Sequence, residues 1–124
     1  MNMTKKRVDE LEGAQLDAMV AVAEGVTVRA RPDGSYQGKG NSFVPWYSLP
    51  HYSREWSKGG LIIEREKIGA HWSYSSAYDS GCWVCMVPRG DYATTYVGPT
   101  PLIAAMRAFV ASKLGDEVEV PECS

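Results

Sequence analysis

The chain has 124 residues, 44% of them hydrophobic and 23% charged, enough for one modest core and a single domain spanning 1–124. A formal net charge of -2 at pH 7 argues against a dedicated nucleic-acid binder, which carries a basic excess. No apolar run approaches the ~20 residues a membrane span needs.

The basic start, Lys5-Lys6-Arg7, is followed at once by Val8-Asp9-Glu10-Leu11-Glu12 rather than by an apolar segment. It does not read as a secretory signal, so a cytoplasmic location is expected. Residues 1–7 and 121–124 are expected to be loosely ordered. A first helix is predicted over Glu10–Glu24, closed by Gly25. Leu11, Ala14, Ala18 and Val22 form one apolar line; Leu16, Met19, Val20 and Ala23 form another. Gly13 weakens the first turn, which places the regular helix start nearer Ala14. Val26–Arg31 alternates and is β-branched, so it reads as a strand with its valines inward. Pro32-Asp33-Gly34-Ser35 is a turn by composition, with Tyr36 pairing back across it.

Gly38–Gly60 is irregular and rich in large aromatics, which suits a long ordered loop with one helical turn near Ser53–Trp56. Leu61–Ile68 reads as a strand that enters the core at its apolar end and emerges charged. His71–Tyr74 and Cys82–Val87 are further strands, separated by a turn over Ser75–Gly81. Tyr92–Val97 is a short strand. Thr100, Pro101, Lys113 and Gly115 supply start and stop signals for a helix between them. Its apolar positions, Leu102, Ala105, Met106, Phe109, Val110 and Leu114, recur every three or four residues. Glu117–Val120 reads as an edge strand with both valines on one face, stopped by Pro121. The fold class expected from this order is α+β, a small antiparallel sheet with two helices packed on one face.

Catalytic patterns are weak. Cys82 and Cys85 form a C-x-x-C, but positions three apart on a strand face opposite ways. Zinc would need further ligands from Cys123, His51 and His71. The cysteines therefore read as packing residues, and their odd number, three, implies no paired disulfide framework. Neither His51 nor His71 carries a recognisable nucleophile or metal motif. Glu64-Arg65-Glu66-Lys67 reads first as a solvated charged face. The alternative is a small metal-dependent hydrolase or nuclease using Glu64 or Glu66 with His71. The aromatics stand out: every one except Phe109 lies between Tyr36 and Tyr96. Trp and Tyr offer flat apolar faces with polar tips, which suits ligand pockets and interfaces. A base could stack there, and a phosphate could sit at the start of the last helix.

Three blocks carry a resemblance to a known family. They are Glu10–Asp17, with its E-L-x-G-x-x-L-D spacing, Tyr52–Glu66, and Gly98–Val120. In these the chain resembles the NinX-like proteins, a phage and prophage family of unknown function. Glu55 stands where the family pattern has aspartate, and Ala18-Met19-Val20 where many relatives carry a tryptophan. The resemblance implies a phage-encoded protein working in the host bacterial cytoplasm. It also implies a context in which small phage proteins bind host factors or sequester nucleotide signals of host defence.

The resulting expectation is a non-catalytic phage accessory protein that binds a small nucleotide-like ligand or a host protein, to counter host defence. Its site is expected at Tyr52, Arg54, Trp56, Gly59, Gly60, Pro99, Thr100 and Pro101. No catalytic residue, metal or cofactor is expected. A purely structural, homo-oligomeric protein with the aromatics at a subunit interface is left open as a further alternative.

Overall fold

Eight strands and three α-helices are present among the described residues of the computed structural model, which are 2–40, 43, 45–75 and 78–123. In chain order, β1 (Asn2–Arg7) leads through one 3-10 turn (Val8–Glu10) to α1 (Gly13–Ala23). Three short strands follow: β2 (Val28–Ala30), β3 (Tyr36–Lys39) and β4 (Trp46–Ser48). Next come α2 (Trp56–Glu66), β5 (Gly69–Ser75), β6 (Tyr78–Arg89), β7 (Tyr92–Gly98), α3 (Pro101–Leu114) and β8 (Glu117–Glu122).

The strands form three antiparallel sheets, β1–β8, β2–β3–β4 and β5–β6–β7. This corrects the expected fold class: the chain is sheet-rich, with three sheets and three helices rather than one small sheet carrying two. Two misread segments account for most of the difference.

The first is the N-terminal segment. Asn2–Arg7 pairs with Glu117–Glu122 along its whole length, bringing Lys5 opposite Glu119 and Arg7 opposite Glu117. Val118 and Val120 turn into the core from β8, as their alternation predicted. The strand β8 also runs on through Pro121, which pairs with Met3 at a sheet edge where a missing N–H is tolerated. Residues 2–7 and 121–122, expected to be loose, therefore belong to a sheet.

The second is Leu61–Ile68, expected as a strand. It lies mostly within α2, and Gly59 and Gly60 fall inside the same helix. The helix stops at Lys67, which takes a left-handed conformation at φ 57°. The Lys67 N–H donates to Glu64 C=O and the Ile68 N–H to Ile63 C=O, a Schellman closure with Ile68 buried behind it.

Two smaller corrections follow: β4 lies within Gly38–Gly60, expected as a loop, and β6 begins at Tyr78, inside the expected 75–81 turn. The pairing of Ala30 with Tyr36 closes β2 on β3 as expected. Ser76 and Ala77, inside the expected 75–81 turn, lie outside the described residues. The helix α3 begins and ends where its caps place it, with Thr100 Oγ accepting the Ile103 N–H at 3.1 Å. Its burial is wider than one apolar face, because it packs against β6, β7, α1 and α2. Ala104, Ala108 and Ser112 are buried along with Leu102, Met106 and Phe109. The helix α1 is enclosed in the same way from Leu16 to Ala21. Two helices buried nearly all round make the centre of the molecule. Arg107 on α3 ties this centre together by donating to Leu11 C=O and Val97 C=O, both at 2.9 Å.

Candidate functional site

Between β4 and α2 the chain turns tightly at Pro50–Glu55. The His51 carbonyl accepts the N–H groups of Arg54 at 3.0 Å and Glu55 at 2.8 Å. The turn is fastened to α1 by Asp17, whose Oδ1 accepts the Ser53 N–H at 2.8 Å. Asp17 is only 3% exposed, and its other oxygen, Oδ2, is buried without a hydrogen-bond partner. His51 Nδ1 lies 3.7 Å from that oxygen, but it is already engaged by Arg54 Nη2 at 2.7 Å. A guanidinium can only donate, so Nδ1 is the acceptor there and has no proton for Asp17. Ser53 Oγ is likewise buried and unpaired.

Two clefts flank this turn. The first, about 330 Å³, opens between α1, the β2–β3 hairpin and Ser48–His51, with Asp17 among its lining residues. At its rim, Asp33 Oδ1 accepts the Ser35 N–H and hydroxyl at 2.9 and 2.6 Å. Those bonds hold the Asp33 carboxyl below its ordinary pKa. The second cleft, about 250 Å³, lies where the starts of α2 and α3 meet. Ser53, Arg54, Trp56, Thr100, Pro101 and Leu102 line it.

Four of the sequence-predicted site residues, Arg54, Trp56, Thr100 and Pro101, thus converge on the second cleft although they come from segments over forty residues apart. The other four do not line it. Tyr52 is half-buried against the core, and burial followed by the nearby Glu24 raises its phenol pKa. Gly59 is buried against the Tyr52 carbonyl and Leu102. Gly60 faces the Trp56 ring. Pro99 is exposed on the turn before α3.

The second cleft carries the Arg54 guanidinium, and the acidic Glu55 stands at the start of α2. Two helix starts, each with partial positive charge, meet beside the Arg54 guanidinium. Thr100 already caps Ile103 and Pro101 has no N–H, so α3 offers fewer donors than an uncapped helix. The start of α2 has no side-chain cap. Trp56 is 58% exposed, leaving a ring available for stacking.

The residues named for hydrolysis are arranged differently. The Glu66 carboxylate accepts from Arg65 at 2.9 Å and sits 3.4 Å from the Lys113 ammonium. Arg65 first, then Lys113, holds its pKa below the ordinary value. Glu64 and His71 are exposed on α2 and β5. Among the described residues no three His, Cys, Asp or Glu side chains form a metal-binding group. Cys82 and Cys85 are both buried. Burial pushes the Cys85 thiol up to about 11, and its Sγ lies 3.5 Å from the Pro101 carbonyl.

Asp17 and Ser53 are not singled out by the sequence, and His51 is weighed there only as a metal ligand or catalytic residue. A signal was present: Asp17 is a lone carboxylate inside the apolar run Leu16–Ala21.

Fold and clefts together define a small sheet-rich protein with two of its clefts beside a turn pinned to α1. Residues 7–113 match the family described as Bacteriophage P22, NinX, and the chain belongs to that family. It is therefore a phage protein of the accessory kind. No curated protein gives a significant match. Among the described residues no helix is long and apolar enough to cross a membrane.

Proposed function

We propose that this phage accessory protein is non-catalytic and binds a small, anionic, nucleotide-like ligand in the cleft between the starts of α2 and α3. The observation that carries this reading is the convergence of Arg54 and the exposed Trp56 ring with the Thr100–Leu102 helix start. A base stacks on Trp56, while the charged part of the ligand meets Arg54 and the two helix starts. Arg54 uses one guanidinium nitrogen on His51 and keeps other donors for the ligand. In a phage, sequestering such a molecule would blunt a nucleotide-signalled host defence.

Tryptophan fluorescence and calorimetric titration with mononucleotides, dinucleotides and cyclic nucleotides test this directly. Base–aromatic stacking contributes ~1–3 kcal/mol, so Trp56→Ala should weaken binding by about tenfold or more. Absence of binding across the panel, or unchanged affinity in a folded Trp56→Ala, would contradict the reading.

A second reading, binding of a host protein, draws on Trp72 and Tyr74, which are 42% and 76% exposed on β5. Their rings meet edge to face at 5.8 Å. A host partner on this surface would be lost with Trp72→Ala and retained with Trp56→Ala.

A further inference from the structure

We propose that the cleft between α1, the β2–β3 hairpin and Ser48–His51 is a second binding site, for a small organic cation bearing an ammonium, amidinium or guanidinium group. The Asp17 carboxylate at its wall would receive that group. This inference is independent of the nucleotide site, which lies on the other side of the pinned turn.

The starting point is an unmet acceptor. Asp17 is 3% exposed, and Oδ1 is used by the Ser53 N–H while Oδ2 has no donor. A buried carboxylate oxygen left without a donor is costly. The nearest side-chain nitrogen, His51 Nδ1, cannot supply the proton because Arg54 donates to it. Asp17 thus lines an open cleft with this oxygen buried and unpaired, so a donor entering the cleft would supply the missing bond.

The cleft sets the size and character of that donor. Its volume, about 330 Å³, is many times the ~30 Å³ share of one water and falls in the range of small-ligand pockets. Leu49, Pro50 and Tyr36 give it an apolar side for the body of a ligand. Asp33, which stays ionised through its Ser35 hydrogen bonds, adds a second negative charge at the rim. Arg31 also lines the cleft and would suit an acceptor at the far end of the molecule. A bare metal ion is a poor fit, since Asp17, Asp33 and His51 all line the cleft but, among the described residues, are not grouped so as to hold one. An organic cation brings its own N–H donors and its own apolar surface.

The test uses the full chain with benzamidine, agmatine and the uncharged control benzamide. Binding is followed by calorimetry and by amide NMR shifts. Benzamidine or agmatine should bind at least about tenfold more tightly than benzamide, with shifts centred on Asp17, Leu49 and His51. Asp17→Asn keeps an acceptor for the Ser53 N–H but presents an amide N–H where the cation needs an oxygen, so the charged-over-neutral preference should vanish. If Asp17→Asn does not fold, Ala14→Met serves instead. Residue 14 is an exposed cleft residue on α1, and the longer side chain obstructs the site without touching the Asp17–Ser53 bond. The proposal is overturned if the cationic probes do not bind at millimolar concentration, if they show no preference over benzamide, or if their shifts map elsewhere. Unaltered binding by a folded Asp17→Asn or Ala14→Met overturns it as well.

Discussion

Gly59 and Gly60 are adjacent in the same helix, yet alanine should act on them with opposite signs. A Cβ at Gly59 would stand 2.2 Å from the Tyr52 carbonyl oxygen and 2.8 Å from Leu102 Cδ2. The first contact is backbone, in the turn fastened by Asp17, and cannot rotate away. Overpacking of this kind costs ~1–3 kcal/mol, against a gain of about 1 kcal/mol from replacing a helical glycine with alanine. Because the clash is with fixed backbone, the expected net effect of Gly59→Ala is a loss of roughly 1–2 kcal/mol. At Gly60 the new Cβ would meet only the Trp56 ring at 3.5 Å, an ordinary contact. There the helix term prevails, and Gly60→Ala should stabilise by about 0.5–1 kcal/mol. Urea unfolding followed by far-ultraviolet circular dichroism measures both. The midpoint should fall for one variant and rise for the other, with little change in slope. A stable Gly59→Ala, or a shift of the same sign in both, would refute the assignment of Gly59 to close packing. It would also restore the glycine pair to the candidate ligand site.

Other consequences are equally concrete. Lys67 holds φ 57° at the end of α2, and relieving left-handed strain with Lys67→Gly should raise stability by about 1 kcal/mol, read as a higher melting temperature. Thiol labelling at about pH 8 should modify Cys123 alone in the folded protein, with Cys82 and Cys85 reacting only on unfolding, because both are buried and the Cys85 thiol is raised to about 11. Folding keeps the Glu66 carboxyl below its ordinary value of 4.5. Its contribution is therefore fully present above that value and lost as the pH falls below it, and the acid dependence of the melting temperature should weaken in Glu66→Gln. Tyr96 shows the opposite sign. Burial, followed by its 2.7 Å hydrogen bond to Asp116, raises its phenol from the ordinary 10.0. Stability should then decline as the pH rises above 10, less steeply in Tyr96→Phe.

Much of this architecture could be read locally. The helix α3 announces both of its ends through Thr100, Pro101 and Gly115, and the β2–β3 hairpin follows from alternation and an Asp-Gly turn. What failed was whatever depends on distant partners. Nothing within Asn2–Arg7 marks a strand. It forms because Glu117, Glu119 and the inward Val118 and Val120 offer it a complementary edge at the other end of the chain. Leu61-Ile62-Ile63 looks like a strand because β-branching and two preceding glycines weigh against helix. Tertiary packing overrides that, since Gly59 lets α2 approach Tyr52 and Leu102. The site divides along the same line. Arg54 and Trp56 stood out by type, and Thr100 by its place at a helix start. The role of Asp17 gives no such local signal, because its hydrogen bond is to Ser53, 36 residues away.

The proposed function requires that the cleft at Arg54, Trp56 and Thr100 receive a nucleotide-like anion. Amide NMR on the full chain, titrated with the tightest nucleotide from the panel, tests that most directly. Saturable shifts should cluster on Arg54, Trp56, Thr100 and Leu102 and fade in Trp56→Ala. No shifts at millimolar nucleotide, or a cluster away from these residues, would contradict it.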